Sequence, residues 1–183
     1  MNKLFSLLNF TGRRRLESMR PRLHRLAFAW CHDAALADDL VQETLAKALV
    51  RGEQLRDEQA LESWLFSVLN NVWRDHLRAR REFLDVDELD EAILSQEAGP
   101  DERYASRQTA QRVRRAIASL PLGQRQAITL VDIEELPYAR TAEILGIPVG
   151  TVMSRLARGR QALRAYLENE DKRAVQTHLR RVK

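Results

Sequence analysis

Apolar residues recur at three- and four-residue spacing along almost the whole chain, and nowhere do they alternate residue by residue. The first period belongs to a helix with one buried face; a half-buried strand repeats every two residues. Leu23, Leu26, Ala27 and Trp30 make one stripe, and Leu36, Leu40, Val41, Leu45, Ala48 and Leu49 a second. Leu61, Trp64, Leu65, Val68, Leu69 and Val72 make a third, which His76 and Leu77 continue. Val113, Ile117, Leu120, Ala127, Ile128, Leu130 and Val131 carry the pattern into the C-terminal part. An all-α fold is expected. Asp33 stands where an N-cap of the second helix belongs, and Pro21 is placed to open or kink the first. The polar run 51–59 reads as a connecting loop. Seven glycines and five prolines are too few for a loop-rich β-sandwich or barrel.

Charge divides the chain. Its net +4 resolves into +3 over residues 1–82, −7 over 83–104 and +8 over 105–183. The acidic stretch ends in Gly99-Pro100, a strong helix breaker. Two small helical domains are therefore expected, at 10–82 and 105–168, with 83–104 as an acidic linker and 169–183 as a basic tail that frays. Arginine supplies most of the positive charge, as suits contacts with phosphate and base edges. Basic blocks at both ends point to a polyanionic partner.

Several functions are disfavoured. One cysteine gives no intrachain disulfide framework and no multi-cysteine zinc module, and a reducing compartment is the default. The apolar patch Leu4–Phe10 precedes Arg13, Arg14 and Arg15, the reverse of a signal peptide, and is too short to span a bilayer. A soluble, cytoplasmic protein is expected. There is no Gly-rich phosphate loop, no His-Glu-x-x-His and no nucleophile elbow, so no catalytic residue, metal or cofactor is assigned. His24, Cys31 and His32 lie within reach across two helical turns but lack a fourth ligand; Cys31 reads as a small buried hydrophobe.

The strongest local signal is 136–160. Gly146 supplies the positive φ of a helix C′ position, and Pro148 favours the start of a new helix. Two helices follow, near 138–145 and 149–166, with Ala142, Leu145, Val152, Leu156 and Leu163 inward. Thr151, Ser154, Arg155 and Arg158 remain on the open face of the second, where a helix-turn-helix reads the major groove. On the third helix, Asn71, Arg74, Asp75, Arg78, Arg81 and Glu82 share one side, suited to a helix lying along nucleic acid.

These residues resemble a family. Tyr138, Ala142, Leu145-Gly146, Gly150-Thr151-Val152, Ser154-Arg155 and Arg158-Gly159-Arg160 match region 4.2 of bacterial sigma-70-family factors, especially the extracytoplasmic-function (ECF) group. Pro137, Thr141 and Met153 depart from it: they replace a Ser or Thr cap, an apolar residue and a frequent Lys or Arg. Asp39, Gln42 and Glu43 resemble the region 2.2 signature, with Leu45 for Phe. Trp64-Leu65, Asn71, Asp75, Leu77 and the run Arg78–Arg81 resemble regions 2.3–2.4. The loop before that helix has Leu55-Arg56-Asp57 where the family often has Phe-Arg-Gly.

The resemblance implies a two-domain sigma factor that binds core RNA polymerase and directs promoter-specific initiation without being an enzyme. It implies polymerase contacts through Asp38, Asp39, Gln42 and Glu43, toward the β′ coiled coil, with the β subunit also engaged. It implies −10 contacts through Arg56, Asn71, Arg74, Arg78, Arg80 and Arg81. For the −35 element it implies Arg125, Thr151, Ser154, Arg155 and Arg158. A cognate anti-sigma factor, membrane-bound in some cases, is the further partner. A helix-turn-helix regulator with an N-terminal sensing or dimerisation module is the alternative, and it would bind its site without polymerase.

Overall fold

Seven α-helices and one π-helical turn carry the described residues, and no strand occurs among them. The computed structural model describes residues 10–51, 60–83 and 106–181. The helices are α1 (Phe10–Cys31), α2 (Ala34–Arg51), α3 (Leu61–Phe83), α4 (Ser106–Ala118), α5 (Leu122–Ile128), α6 (Tyr138–Leu145) and α7 (Val149–Arg181). The π-turn, Thr129–Ile133, continues α5 directly.

Helices α1 to α3 bury the three apolar stripes against one another, with Leu23, Ala27, Trp30, Val41, Leu65 and Phe66 fully enclosed. Only His32 and Asp33 separate α1 from α2. Such a short link needs a sharp reversal, and His32 provides it in the left-handed region (φ 56°). Asp33 Oδ1 then accepts the Leu36 backbone N–H at 3.0 Å, the N-cap that the sequence called for. Pro21 neither starts nor ends a helix: α1 runs through it. The loop 52–59 and the segment 84–105 lie outside the described residues.

A second core forms around α5, α6 and α7 from Leu120, Ala127, Ile128, Ala142, Val152 and Leu156. Gly146 ends α6 at φ 65°, ψ 40°, as expected, and its N–H and that of Ile147 return to the Glu143 and Ala142 carbonyls. Thr141, the departure from the family pattern, is fully buried and its Oγ1 has no hydrogen-bond partner. The helix expected to close near residue 166 does not stop there. Helix α7 continues to Arg181, so the tail prolongs that helix.

The two units are not apart. Leu130, Ile144 and Leu145 of the second pack into the core of the first. A set of buried polar contacts fastens the seam. Trp30 Nε1 donates to Thr129 Oγ1 at 2.9 Å, Asn70 Nδ2 donates to the Ile144 carbonyl at 3.0 Å, and Gln126 Nε2 donates to Asn70 Oδ1 at 3.1 Å. Arg22 Nε reaches Glu134 Oε2 at 2.6 Å while its Nη1 meets Glu62. Burial works against the Arg22 cation, but hydrogen bonding and attraction to Glu134, helped by Glu62, outweigh it and raise its pKa.

Candidate nucleic-acid and partner interface

Positions 38, 39, 42 and 43 of α2 fall on one face because they differ by three and four residues. Asp38, Asp39, Gln42 and Glu43 are all exposed there. The edge of this acidic patch is partly neutralised. Lys47 Nζ lies 2.8 Å from Glu43 and 3.6 Å from Asp75, and its pKa is raised, first by the hydrogen bond to Glu43. The surface left around Asp39 and Gln42 suits a basic partner helix.

On α3, the apolar face is spent on the core and the opposite face holds Asn71, Arg74 and Arg78, all exposed. Arg80 is half-buried. Arg78 keeps a loose pair with Asp75 at 3.6 Å. The side chain of Arg81 and all of Arg56 lie outside the described residues. Trp73 is buried and stacks on His76 with ring centroids 5.7 Å apart, and Trp64 is half-buried; neither is an open platform for a base.

The first turns of α7 present Ser154 and Arg158 to solvent. Ser154 Oγ donates to the Thr151 carbonyl at 3.0 Å, and Arg158 Nε donates back to the Ser154 carbonyl at 3.3 Å. These contacts hold the polar side chains along the helix surface. Thr151 and Arg155 are only half-exposed, and the Arg155 guanidinium lies against Gly123, where an added Cβ would sit 2.9 Å from its Cζ. Met153, in the place of a frequent cation, is 53% exposed and offers an apolar contact instead. Arg160 is committed elsewhere: it meets both carboxylate oxygens of Asp132, at 3.1 and 2.5 Å, and this pairing raises its pKa. It pins α7 to the π-turn.

Arg125 corrects the expectation. Expected on the DNA face, it is 1% exposed, and all three of its hydrogen bonds run to carbonyls: Nη1 to Trp30, Nη2 to Ala118 and Leu120, each at 2.8 Å. Trp30 lies in the last turn of α1, Ala118 ends α4, and Leu120 lies two residues beyond that end. The guanidinium therefore caps two helix C-termini, where unsatisfied carbonyls and the negative ends of two dipoles replace a carboxylate. Desolvation still lowers its pKa to about 10. The sequence showed an arginine in a helix but not the two helix ends that meet around it.

The polar contacts of Asn70, Gln126, Trp30 and Thr129 across the seam are likewise not legible in the sequence, because the partners lie 56 to 99 positions apart. Cys31 donates to the Asp33 carbonyl at 3.2 Å, and burial raises its thiol to about 11. Among the described residues, no three His, Cys, Asp or Glu side chains gather as metal ligands. No helix among them is long and apolar enough to cross a membrane.

Comparison with known proteins gives a consistent set of likenesses. Residues 16–83 match Sigma-70 region 2, and residues 110–163 match Sigma-70, region 4. The ECF RNA polymerase sigma factor EcfG of Rhodopseudomonas palustris is 37% identical over 152 residues, covering 80% of each chain. The sigma factor RpoE in its complex with the anti-sigma factor NepR, from Bartonella quintana, is similar in structure. Its TM-score is 0.74 at 30% identity, covering 86% of this chain and 97% of that one. CnrH, solved with the cytosolic domain of CnrY, shares the fold at a TM-score of 0.62 and 23% identity, over 90% of this chain and 92% of its own.

Proposed function

Because the chain belongs to the ECF group of sigma-70-family RNA polymerase sigma factors, and so directs promoter-specific transcription initiation, we propose how its surfaces divide that work. Asp38, Asp39, Gln42 and Glu43 of α2 meet core polymerase through the β′ coiled coil, and the second unit engages the β subunit. Asn71, Arg74, Arg78, Arg80 and Arg81 of α3, with Arg56 of the preceding loop, meet the −10 element. Thr151, Ser154, Arg155 and Arg158 of α7 read the −35 element. Arg125 carries the fold instead. The acidic stretch beyond α3 tethers the two units, and the last turns of α7, to Arg181, add Lys172, Arg173, Arg180 and Arg181. The protein is not an enzyme and works in the cytoplasm, where polymerase is. An anti-sigma factor is the regulatory partner, by analogy with the complexes of the two structural relatives.

One observation carries this reading: three helices keep separate polar faces, one acidic and two rich in Arg, that the cores do not use. Geometry adds a requirement. Elements about 25 base pairs apart are separated by about 85 Å at 3.4 Å per pair. Helices that touch across one seam cannot reach both, so the two units part when the promoter is engaged, and the closed arrangement is a state before DNA binding.

Run-off transcription and footprinting with and without core polymerase test the function. A footprint over both elements is expected only with core; an equally strong footprint from the chain alone would favour the regulator alternative. Within that assay, Arg158→Ala should weaken −35-dependent transcription while leaving core co-purification intact. Loss of a good base contact of about 1–3 kcal/mol corresponds to about 5- to 150-fold. Unchanged transcription would remove Arg158 from the reading surface.

A further inference from the structure

Between α3 and the α5–α7 unit lies a crevice of about 260 Å³, open to solvent. Its walls include Trp73 and Arg74 from α3, Gln126 from α5, Gly146 from the turn, and Arg155 from α7. Two of its lining side chains are charged, both are guanidinium groups, and no carboxylate lines it. Arg22, Arg78, Arg140 and Arg160 all have acidic partners. Among the described residues, neither the Arg74 nor the Arg155 side chain has a carboxylate within salt-bridge distance or a hydrogen-bond acceptor.

The uncharged groups sharpen the picture. Asn70 and Gln126, which also line the crevice, spend amide groups on each other and on the Ile144 carbonyl. Trp73 is 3% exposed, and its indole N–H is buried with no acceptor. The Gln126 Oε1 is the one amide atom of the pair with no hydrogen-bond partner among the described residues, and the charge that lines the crevice is wholly positive. Two like charges lining one narrow space repel each other until an anion enters. Guanidinium forks match the paired oxygens of a phosphate group, and the volume admits one small phosphorylated molecule.

We propose that this crevice is a binding site for a small phosphorylated anion, held between Arg74 and Arg155. Because one arginine comes from each unit, the bound anion ties the units together across the seam and stabilises the closed arrangement. Gly123 is a positioning residue for the site: lacking a side chain, it lets the Arg155 guanidinium lie back against α5. A consequence follows that rests on the functional reading above. Arg74 and Arg155 are also proposed DNA contacts, so occupancy of the crevice competes with promoter engagement. The binding itself does not depend on that reading.

Calorimetric titration of the full chain with sodium pyrophosphate, at ionic strength held constant with chloride, tests the site. One saturable site is expected. Arg74→Ala and Arg155→Ala should each weaken it by about tenfold, as for loss of a charge-assisted contact. Gly123→Ala should weaken it too, although both charges remain, whereas Arg158→Ala on the exposed face of α7 should not. Pyrophosphate should also slow amide exchange across α3 and α6, and helical content by circular dichroism checks that each variant is folded. Absence of saturable binding, equal weakening by Arg158→Ala, or equally tight binding of citrate would overturn the proposal. If pyrophosphate fails to bind while holoenzyme still initiates at its promoter, the crevice inference falls and the functional reading stands.

Discussion

Replacing Arg125 by methionine separates a structural role from a DNA-reading one. Methionine restores most of the apolar volume of the arginine stem but offers no donor. The carbonyls of Trp30, Ala118 and Leu120, now bonded at 2.8 Å, would all lose their partner. Each buried unsatisfied carbonyl costs about 1–3 kcal/mol. Part of the sum is offset, because removing the guanidinium also removes its desolvation, the effect that lowers its pKa to about 10. A net loss of about 3–4 kcal/mol remains, near the range for breaking a buried charged network. For a chain of this size, each kcal/mol shifts the melting temperature by about 2–4 °C, so a fall of about 10 °C is expected. Urea titration followed by circular dichroism, with an unchanged slope, would confirm that stability itself changed. Arg125→Lys should recover little, since one ammonium cannot serve carbonyls from two helix ends as a planar fork does. The reasoning is refuted if Arg125→Met is within about 1 kcal/mol of wild type yet loses −35 binding.

Asn71→Ala should impair promoter opening more than closed-complex formation, because an exposed amide can hold a base edge only after melting; permanganate footprinting that matches wild type would reduce α3 to a phosphate-tracking surface. Asp39→Arg should reduce co-purification with core polymerase at unchanged helical content, and wild-type recovery would mean that the α2 face is merely solvated. His32 should make the fold acid-sensitive. Burial, and then repulsion from Arg125, lower its pKa from 6.5 to about 4. Between those values the unfolded chain takes up a proton that the folded chain refuses, so stability falls as pH drops from about 6.5 toward 4. His32→Asn, which tolerates the left-handed backbone, should flatten that slope in thermal melts at pH 4.5 and 7; an unchanged slope would assign the acid sensitivity to other groups.

The local features were legible because they depend on neighbours in sequence. Helical period, the Asp33 cap, and the Gly146–Pro148 turn follow from interactions spanning about four residues, and these sites formed as read. The outward placement of Ser154 and Arg158 follows from the same period, since the inward positions were already apolar. Two local readings needed context: of the two roles open to Pro21, starting α1 is excluded because α1 runs through it, and α7 runs past residue 166, where its close was expected. The roles of Arg125, Asn70 and Arg155 were decided by tertiary structure. Amphipathicity tells which face of a helix is buried, but not which distant backbone ends converge beside it. Arg125 looked like a surface cation until α1 and α4 ended on either side of it, and only their packing made its charge structural. Asn70 is buried because the Ile144 carbonyl at the end of α6 meets it across a seam of 74 residues' separation. Such pairings hang on how two units dock, an outcome of shape and shared apolar surface that no short-range pattern encodes.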